Sequence, residues 1–429
     1  MTRYEQIRTW LAGHGALDSY EGVLAFDEAH KAKGAAADQP VGRAVVQLQE
    51  DMSHARVVYL SATGATQVSD MAYMTRLGLW GRGTYFSDFK TIEGVLCNAR
   101  GTGAGAMEML AVQLKSSGAY LARNLGLRGV DFHMPTVALS ATQQTLYDAC
   151  AKLWVELYSQ LSTMAGNGTA PRSFEGTFTA AQTRFFQQLV LAFKVPEIQR
   201  QARIALRAGK CVIIGLQSTG DAAVTAALGK SVAAAAGGGG GGGGRGGGAA
   251  PRLPRLVSAA REVLEGLLEQ LEGKQQASLA GSHQLSGYRR IVLSKLDALD
   301  LPPAAIDELL QYFGAEHVAE MTGRQKRLVK AADGQYDYVS RAEKNVGLHR
   351  VNLLERARFQ KGEKLIAILS DAGATGVSLH ADKVQPNQRR RFHIVPELGW
   401  SASKIVQQFG RSHRTVRAYV GCPNPRPLL

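Results

Sequence analysis

Short apolar runs recur along the chain. Gly22–Phe26 (GVLAF) closes on Asp27, Arg56–Leu60 (RVVYL) on Ser61, and Lys210–Leu216 (KCVIIGL) on Gln217. Two more, Lys364–Leu369 (KLIAIL) and Phe392–Val395 (FHIV), follow later. Runs this short and continuous predict strands buried on both faces. Between them lie segments of helical period: Ala106–Leu125, Ala141–Leu161, Thr179–Ala192 and Arg252–Leu271. The last places Leu256, Val263, Leu264, Leu267, Leu268 and Leu271 on one face. Strands alternating with helices predict an α/β fold built on parallel sheets. In such sheets ligands collect at the carboxyl ends of the strands, so the polar residues just after the runs are the ones to inspect. No internal repeat is visible.

The tract Ala233–Ala250, AAAAGGGGGGGGRGGGAA, interrupts this pattern. Glycine at that density loses too much backbone entropy on ordering to hold a helix or strand, so a flexible insert is expected. The chain has 429 residues, which suggests two or three domains at roughly 150 residues each. Hydrophobic residues at 45% and charged residues at 20% exclude a mostly disordered chain. Lys and Arg number 50 against 36 Asp and Glu, a net charge of +14, which points to a polyanionic partner such as nucleic acid. Cys97, Cys150, Cys211 and Cys422 form no CxxC pair, which excludes a zinc ribbon and a dense disulfide scaffold and fits a reducing compartment. No apolar run approaches the roughly 18 residues of a membrane span, and the N-terminus lacks the apolar core of a secretory signal. A soluble intracellular protein is expected.

Three motifs carry chemistry. Asp27-Glu28-Ala29-His30 sits at the end of an expected strand, where one carboxylate can hold Mg²⁺ and the next can polarise an attacking water. Ser61-Ala62-Thr63 begins 34 residues after Asp27, where small hydroxyl residues can couple the metal site to a neighbouring lobe. Gln407–Arg414, QQFGRSHR, reads QxxGRxxR. Its two arginines three apart share one helical face, and guanidinium forks suit phosphate oxygens in a transition state. Taken alone, each motif is equally a solvated acidic turn, a chance tripeptide or a basic helix face. Their order is far more specific than any one of them.

That order resembles the superfamily 2 helicases and translocases, in which two RecA-like lobes sandwich ATP and the second lobe supplies the arginines. More closely, Phe26–Gly34 (FDEAHKAKG), Tyr59–Gly64 (YLSATG), Met71–Gly81 (MAYMTRLGLWG), Gly105–Asn124 (GAMEMLAVQLKSSGAYLARN), Cys211–Gly220 (CVIIGLQSTG) and Ala319–Arg324 (AEMTGR) resemble the strawberry notch family. Phe359–His380 (FQKGEKLIAILSDAGATGVSLH), Asn387–Arg391 (NQRRR) and Trp400–Arg414 (WSASKIVQQFGRSHR) continue the resemblance. It implies Asp27 as the magnesium residue and Glu28 as the water-activating base, with Gln407, Arg411 and Arg414 as the arginine-finger motif. It implies that His30, Ser61 and Thr63, together with Asp371, Thr375 and Gly376, couple hydrolysis to lobe motion. Gln217, Ser218 and Thr219 fall near the nucleic-acid path. The implied cofactors are ATP and Mg²⁺, and the implied partners are DNA, chromatin, and transcription and signalling factors in the nucleus. The expected architecture is a partial first RecA-like lobe over residues 1–140, a helical connector over 141–209, and a second lobe over 210–429 carrying the glycine-rich insert 233–250.

The pattern departs from the family in one respect that matters chemically. An ATPase of this class cradles phosphate in a GxxxxGK[ST] loop ahead of the acidic motif, and no segment of the chain matches it. Val224–Ser231 (VTAALGKS) has the Gly-Lys-Ser, but a valine stands where the opening glycine belongs, and it follows the second-lobe strand. Only 26 residues precede Asp27, so truncation at both ends is expected, through an incomplete gene model or a reduced paralogue. Charge is also uneven. From Lys383 to Leu429 nine bases face one acid, Glu397, for a net +8. Within that stretch, Arg389, Arg390 and Arg391 read either as phosphate-backbone contacts or as a charged loop between strands. Arg324, Lys326, Arg327 and Lys330 offer a weak nuclear-localisation patch. The isolated His380 and His393 read as core or surface histidines.

Overall fold

The computed structural model describes residues 1–13, 17–61, 64–65, 67–97, 104–122, 130–166, 174–217, 220, 225, 252–275, 282–342, 347–370, 377–398 and 402–413. The chain divides into two compact units, Met1–Leu125 with Ser401–Gln407, and Gly126–Trp400 with Gln408–Leu429. It has the α/β character expected of RecA-like lobes, with parallel strands joined through helices.

In the first unit, helix α1 (Arg3–Ala12) opens on a capping box. The Thr2 hydroxyl accepts from the Glu5 N–H, and the Glu5 carboxylate accepts from the Thr2 N–H. Strands β1 (Val23–Phe26) and β2 (Arg56–Tyr59) pair in parallel, Val23 against Arg56 through Phe26 against Tyr59. Parallel neighbours need a crossover, and α2 (Pro40–Asp51), with proline in its first turn, supplies it. Leu24 and Phe26 pack with Leu48, Met52 and Leu11, whereas Val23 and Val58 on the other face are 55% and 43% exposed. The inner end of β2 is pinned by polar bonds. The Tyr59 hydroxyl donates to Gln49 Oε1, Thr75 Oγ1 lies 2.9 Å from the same oxygen, and Gln49 Nε2 donates to Tyr73 O at 2.8 Å. Burial pushes the Tyr59 phenol up to about 12, so it remains a donor. Helices α3 (Phe89–Leu96) and α4 (Ala104–Ser116) complete this unit. The helix expected to Leu125 stops early, because Gly118 takes φ +74 and its N–H turns back to Lys115 O.

In the second unit, α5 (Ala141–Gly166), α6 (Phe174–Arg207), α7 (Ala259–Gln275) and α8 (Ser282–Asp297) share one core. Trp154 is its centre, edge-on to Phe178 and Phe185. The expected Thr179–Ala192 helix is part of α6, which runs through Pro196. The side chains Leu189, Val195, Ile198 and Ala202 are buried on either side of the proline, and that packing outweighs the lost hydrogen bond. The expected Arg252–Leu271 helix begins only at Ala259. Arg252–Leu253 is instead strand β4, paired antiparallel to β7 (Tyr336–Ser340). Leu264, Leu267, Leu268 and Leu271 are buried as the period predicts.

The main sheet is parallel, in the order β5 (Val318–Met321), β8 (Ile366–Ser370), β3 (Cys211–Leu216), β9 (Arg391–Ile394). Alternate residues feed two cores. Val212, Ile214, Ile366 and Ile368 meet α6 and α9 (Ala305–Phe313), while Cys211, Ile213, Ala367 and Leu369 meet Phe359 of α10 (Leu348–Lys361). Strand β6 (Lys326–Lys330) forms a hairpin with β7. A buried charge cluster lies beside β5. Arg324 Nη2 sits 2.8 Å from Asp307 Oδ1 with both side chains fully buried, and Arg341 Nε sits 3.4 Å from Glu320 Oε2. Arg324 therefore cannot belong to an exposed basic patch with Lys326, Arg327 and Lys330. No helix among the described residues is long and apolar enough to cross a membrane.

Candidate nucleotide and nucleic-acid site

The chain leaves β1 through Asp27 and turns at Glu28, which adopts φ 51 and ψ 42, the left-handed region. For a residue with a Cβ this costs about 1–2 kcal/mol and clusters at functional positions. The turn is held from two sides. The Glu28 N–H donates to Asp27 Oδ1 at 2.9 Å, and the Ala29 N–H donates to Leu60 O at 2.9 Å. It leads into the 3₁₀ segment Ala29–Ala37. His30 Nδ1 lies 3.0 Å from Ser61 Oγ and 3.3 Å from Glu28 Oε2. The acidic motif and the residue after β2 are thus joined through one imidazole. Lys33, which sequence reading missed, adds a second tie: its Nζ reaches Asp70 Oδ2 at 3.1 Å and Gly64 O at 3.5 Å.

Asp27 is exposed at the strand end, and Glu28 Oε2 is buried without a hydrogen bond among the described residues, 3.3 Å from the His30 imidazole. Acceptor-only oxygens so placed fit a hydrated magnesium ion, a hard cation that keeps several waters. Thr63 lies outside the described residues.

In the second unit, Gln217 follows β3 at the carboxyl edge of the sheet. Glu397, which follows β9, holds it there. The Gln217 N–H donates to Glu397 Oε2 at 3.1 Å, and its Nε2 donates to Glu397 O at 3.3 Å. Ser218, Thr219, Asp371, Thr375, Gly376 and Arg414 lie outside the described residues.

Helix α11 (Ala402–Ser412) carries Gln407 and Arg411, both half-buried. The end of the helix is tightly seated. The Leu379 N–H donates to Arg411 O at 2.7 Å, and Arg411 Nη1 donates to Val377 O at 3.3 Å. His393 Nδ1 lies 2.9 Å from Ser412 Oγ, and its ring stands edge-on to Phe409. Burial pushes the His393 imidazole down to about 4, so it is a neutral core histidine. Glycine at position 215 leaves it room against β3, where an added Cβ would lie a tight 3.2 Å from His393 Nε2.

Arg389, Arg390 and Arg391 do not join Gln217. Arg391 opposes Cys211 at the amino end of the parallel strands, roughly 20 Å of strand away from Gln217 at about 3.3 Å per residue. They also differ among themselves. Arg391 is spent internally, on Leu379 O at 2.8 Å and Gln360 Oε1 at 3.0 Å, and it lies over the Phe359 ring. Arg390 pairs with Asp131 at 2.6 Å, and Arg389 is exposed.

Two family models match the chain: "P-loop containing NTP hydrolase pore-1" over residues 1–149, and "C-terminal domain on Strawberry notch homologue" over residues 304–422. Strawberry notch homolog 2 of Mus musculus is 37% identical over 96% of this chain and 35% of its own length. The chain belongs to the strawberry notch family. Strawberry notch homolog 1 of Rattus norvegicus is 35% identical over 96% of this chain and 38% of its own length. Protein FORGETTER 1 of Arabidopsis thaliana is 30% identical over the same share, covering 41% of its length. The chain thus spans well under half the length of these relatives. No solved structure matches it. The two family models place the acidic motif in a P-loop hydrolase domain and the Arg411 helix in the strawberry notch C-terminal domain, so the chain is a helicase-related member of the family.

Proposed function

We propose that this strawberry notch protein is a nuclear regulator of DNA-templated transcription that associates with DNA or chromatin through a helicase-related core. Transcription and signalling factors are its proposed protein partners. One observation carries the DNA reading: a helicase-type sheet presents Gln217 at its carboxyl edge in a chain of net charge +14. The exposed Arg389, at the opposite end of that sheet, adds a phosphate-backbone contact away from Gln217. The test is fluorescence anisotropy with duplex DNA across a salt series. The expected result is sequence-independent binding whose logarithm falls linearly with the logarithm of salt concentration. Gln217→Ala should weaken binding severalfold, and Arg389→Gln should shallow the salt slope by about one. Absence of binding at 50 mM salt removes the reading.

A second reading, a DNA-dependent ATPase or translocase, is favoured by the Glu28–His30–Ser61 geometry. Bound Mg²⁺ and ATP supply the phosphoryl-transfer chemistry. Asp27 would hold the metal's water shell, Glu28 would orient and deprotonate the attacking water, and His30 with Ser61 would transmit the state of that turn. Thr63, Asp371, Thr375 and Gly376 would share that coupling, and Arg411 with Arg414 would meet phosphate charge. No residues of this sequence match the amide-and-lysine cradle that holds the β- and γ-phosphates in this class. Hydrolysis by this chain is therefore not part of the leading proposal. DNA-stimulated ATP turnover that Glu28→Gln abolishes would establish the second reading.

A further inference from the structure

A cavity of about 450 Å³ opens in the second unit, away from the carboxyl edge of its sheet. Ala315 and Glu316, just before β5, and Glu363 and Lys364, just before β8, place it toward the amino ends of the strands. Arg327 and Arg341 of the hairpin region, Glu320 of β5, and Val351, Glu355 and Arg358 of α10 complete its lining. Ligands of parallel sheets gather at the carboxyl ends, so this cavity is separate from the nucleotide and nucleic-acid edges described above.

Its charges are unevenly spent. Glu320 faces Arg341 at 3.4 Å. Glu355 takes both Lys364, at 2.6 Å, and Arg358, at 2.7 Å, and Lys364 also donates to Val318 O at 2.9 Å. Glu316 and Glu363 stand at the mouth, mostly exposed. Arg358, also half-exposed, stands at the mouth beside them, so inside it three bases, Arg327, Arg341 and Lys364, face two acids, Glu320 and Glu355. Arg327 has no ion pair among the described residues, and its Nε is buried without a hydrogen-bond partner. A guanidinium with its Nε buried and unbonded favours an oxyanion that accepts its fork. The two mouth carboxylates repel a dianion and welcome a neighbouring cation.

We propose that this cavity is a binding site for a carboxylate carried beside a positive charge. The carboxylate sits on Arg327 and Arg358, and the cation sits against Glu316 and Glu363. The shared chemistry comes from two sources, a free amino-acid zwitterion or an acidic side chain flanked by lysines in a peptide. The site is independent of the nucleotide reading and stands or falls without it.

The test is calorimetric titration of the full chain with three probes: free glutamate, the blocked peptide Ac-Lys-Glu-Lys-NH₂, and inorganic phosphate. Saturable binding of glutamate or of the peptide is expected, and whichever binds more tightly identifies the source. Arg327→Met and Arg358→Gln should each weaken that binding at least tenfold, while Arg43→Gln, on the surface of the other unit, should leave it unchanged. Far-ultraviolet circular dichroism and a thermal melt check that each variant folds, and the two arginine variants test the site independently. No saturable binding of either carboxylate probe, binding by both arginine variants as tight as that of the unsubstituted chain, or tighter binding of phosphate would each overturn the proposal.

Discussion

The two units use the same device, a short parallel strand ending on a polar residue, with opposite degrees of support. In the second unit all six residues of β3 are buried, because β8 and β9 flank it and separate cores cover its two faces. In the first unit, among the described residues, β1 and β2 pair only with each other, and burial alternates along both. Parallel strands normally lie between two layers. The first unit covers one face with α2 and leaves Val23, Val58 and Leu60 to solvent. The difference teaches where rigidity is invested. Gln217 and the Arg411 end of α11 are positioned by a sheet whose central strand is fully buried, whereas the Asp27–Glu28 turn is held by local bonds to Leu60 and Ser61.

The sharpest way to break this contrast is to unbalance the buried charges of the second unit. Arg324→Met removes the fully buried guanidinium that pairs with Asp307, and urea unfolding should show a loss of about 3–5 kcal/mol. A loss below about 1 kcal/mol would mean that this cluster is not sealed from water.

The next effect is a pH dependence. The folded His393 has a pKa lowered from 6.5 to about 4, so the unfolded chain binds the extra proton first. Stability attributable to this group is fully kept above pH 6.5 and is lost as pH falls toward 4. By linkage the loss is on the order of 3 kcal/mol at the lower limit. His393→Asn should flatten that part of the stability–pH profile. A variant that keeps the wild-type slope would place the titration elsewhere.

Smaller again is the response of the two sheets to matched trimming. Ile213→Val removes one methylene from a closed core and should cost about 0.5–1.5 kcal/mol. Val58→Thr on the open face of β2 should stay within about 0.5 kcal/mol. Equal costs would show that the face of the first unit is covered in solution. The smallest expected change is a gain. Glu28→Gly relieves the left-handed turn at the cost of a more flexible unfolded chain, so thermal unfolding should show stabilisation of less than about 1 kcal/mol. Destabilisation by more than that would mean that the Glu28 contact with His30 outweighs the strain.

What could be read from the chain follows the same contrast. Strand β3 was legible because KCVIIGL is continuously apolar, the mark of a strand covered on both faces. The β6–β7 hairpin was not, because KRLVK and YDYVS mix charge with apolar residues and carry no clean period. Strand β4 hid inside a helical pattern because Leu253 extends the leucine spacing of α7, while pairing with Tyr336 makes it a strand residue. Of the candidate site, Asp27, Glu28, His30 and Arg411 were visible as motifs. The supports Lys33, His393 and Glu397 were not, because each acts on a partner that only the fold brings near. The Arg327 cavity was equally silent, since its lining spans Ala315 to Lys364.

The most direct test of the functional account is ATP turnover by this 429-residue chain, measured with and without duplex DNA beside the DNA-binding isotherm. The proposal predicts salt-sensitive DNA binding with turnover no higher than that of Glu28→Gln. DNA-stimulated turnover that Glu28→Gln abolishes would contradict it and make the chain a motor in its own right.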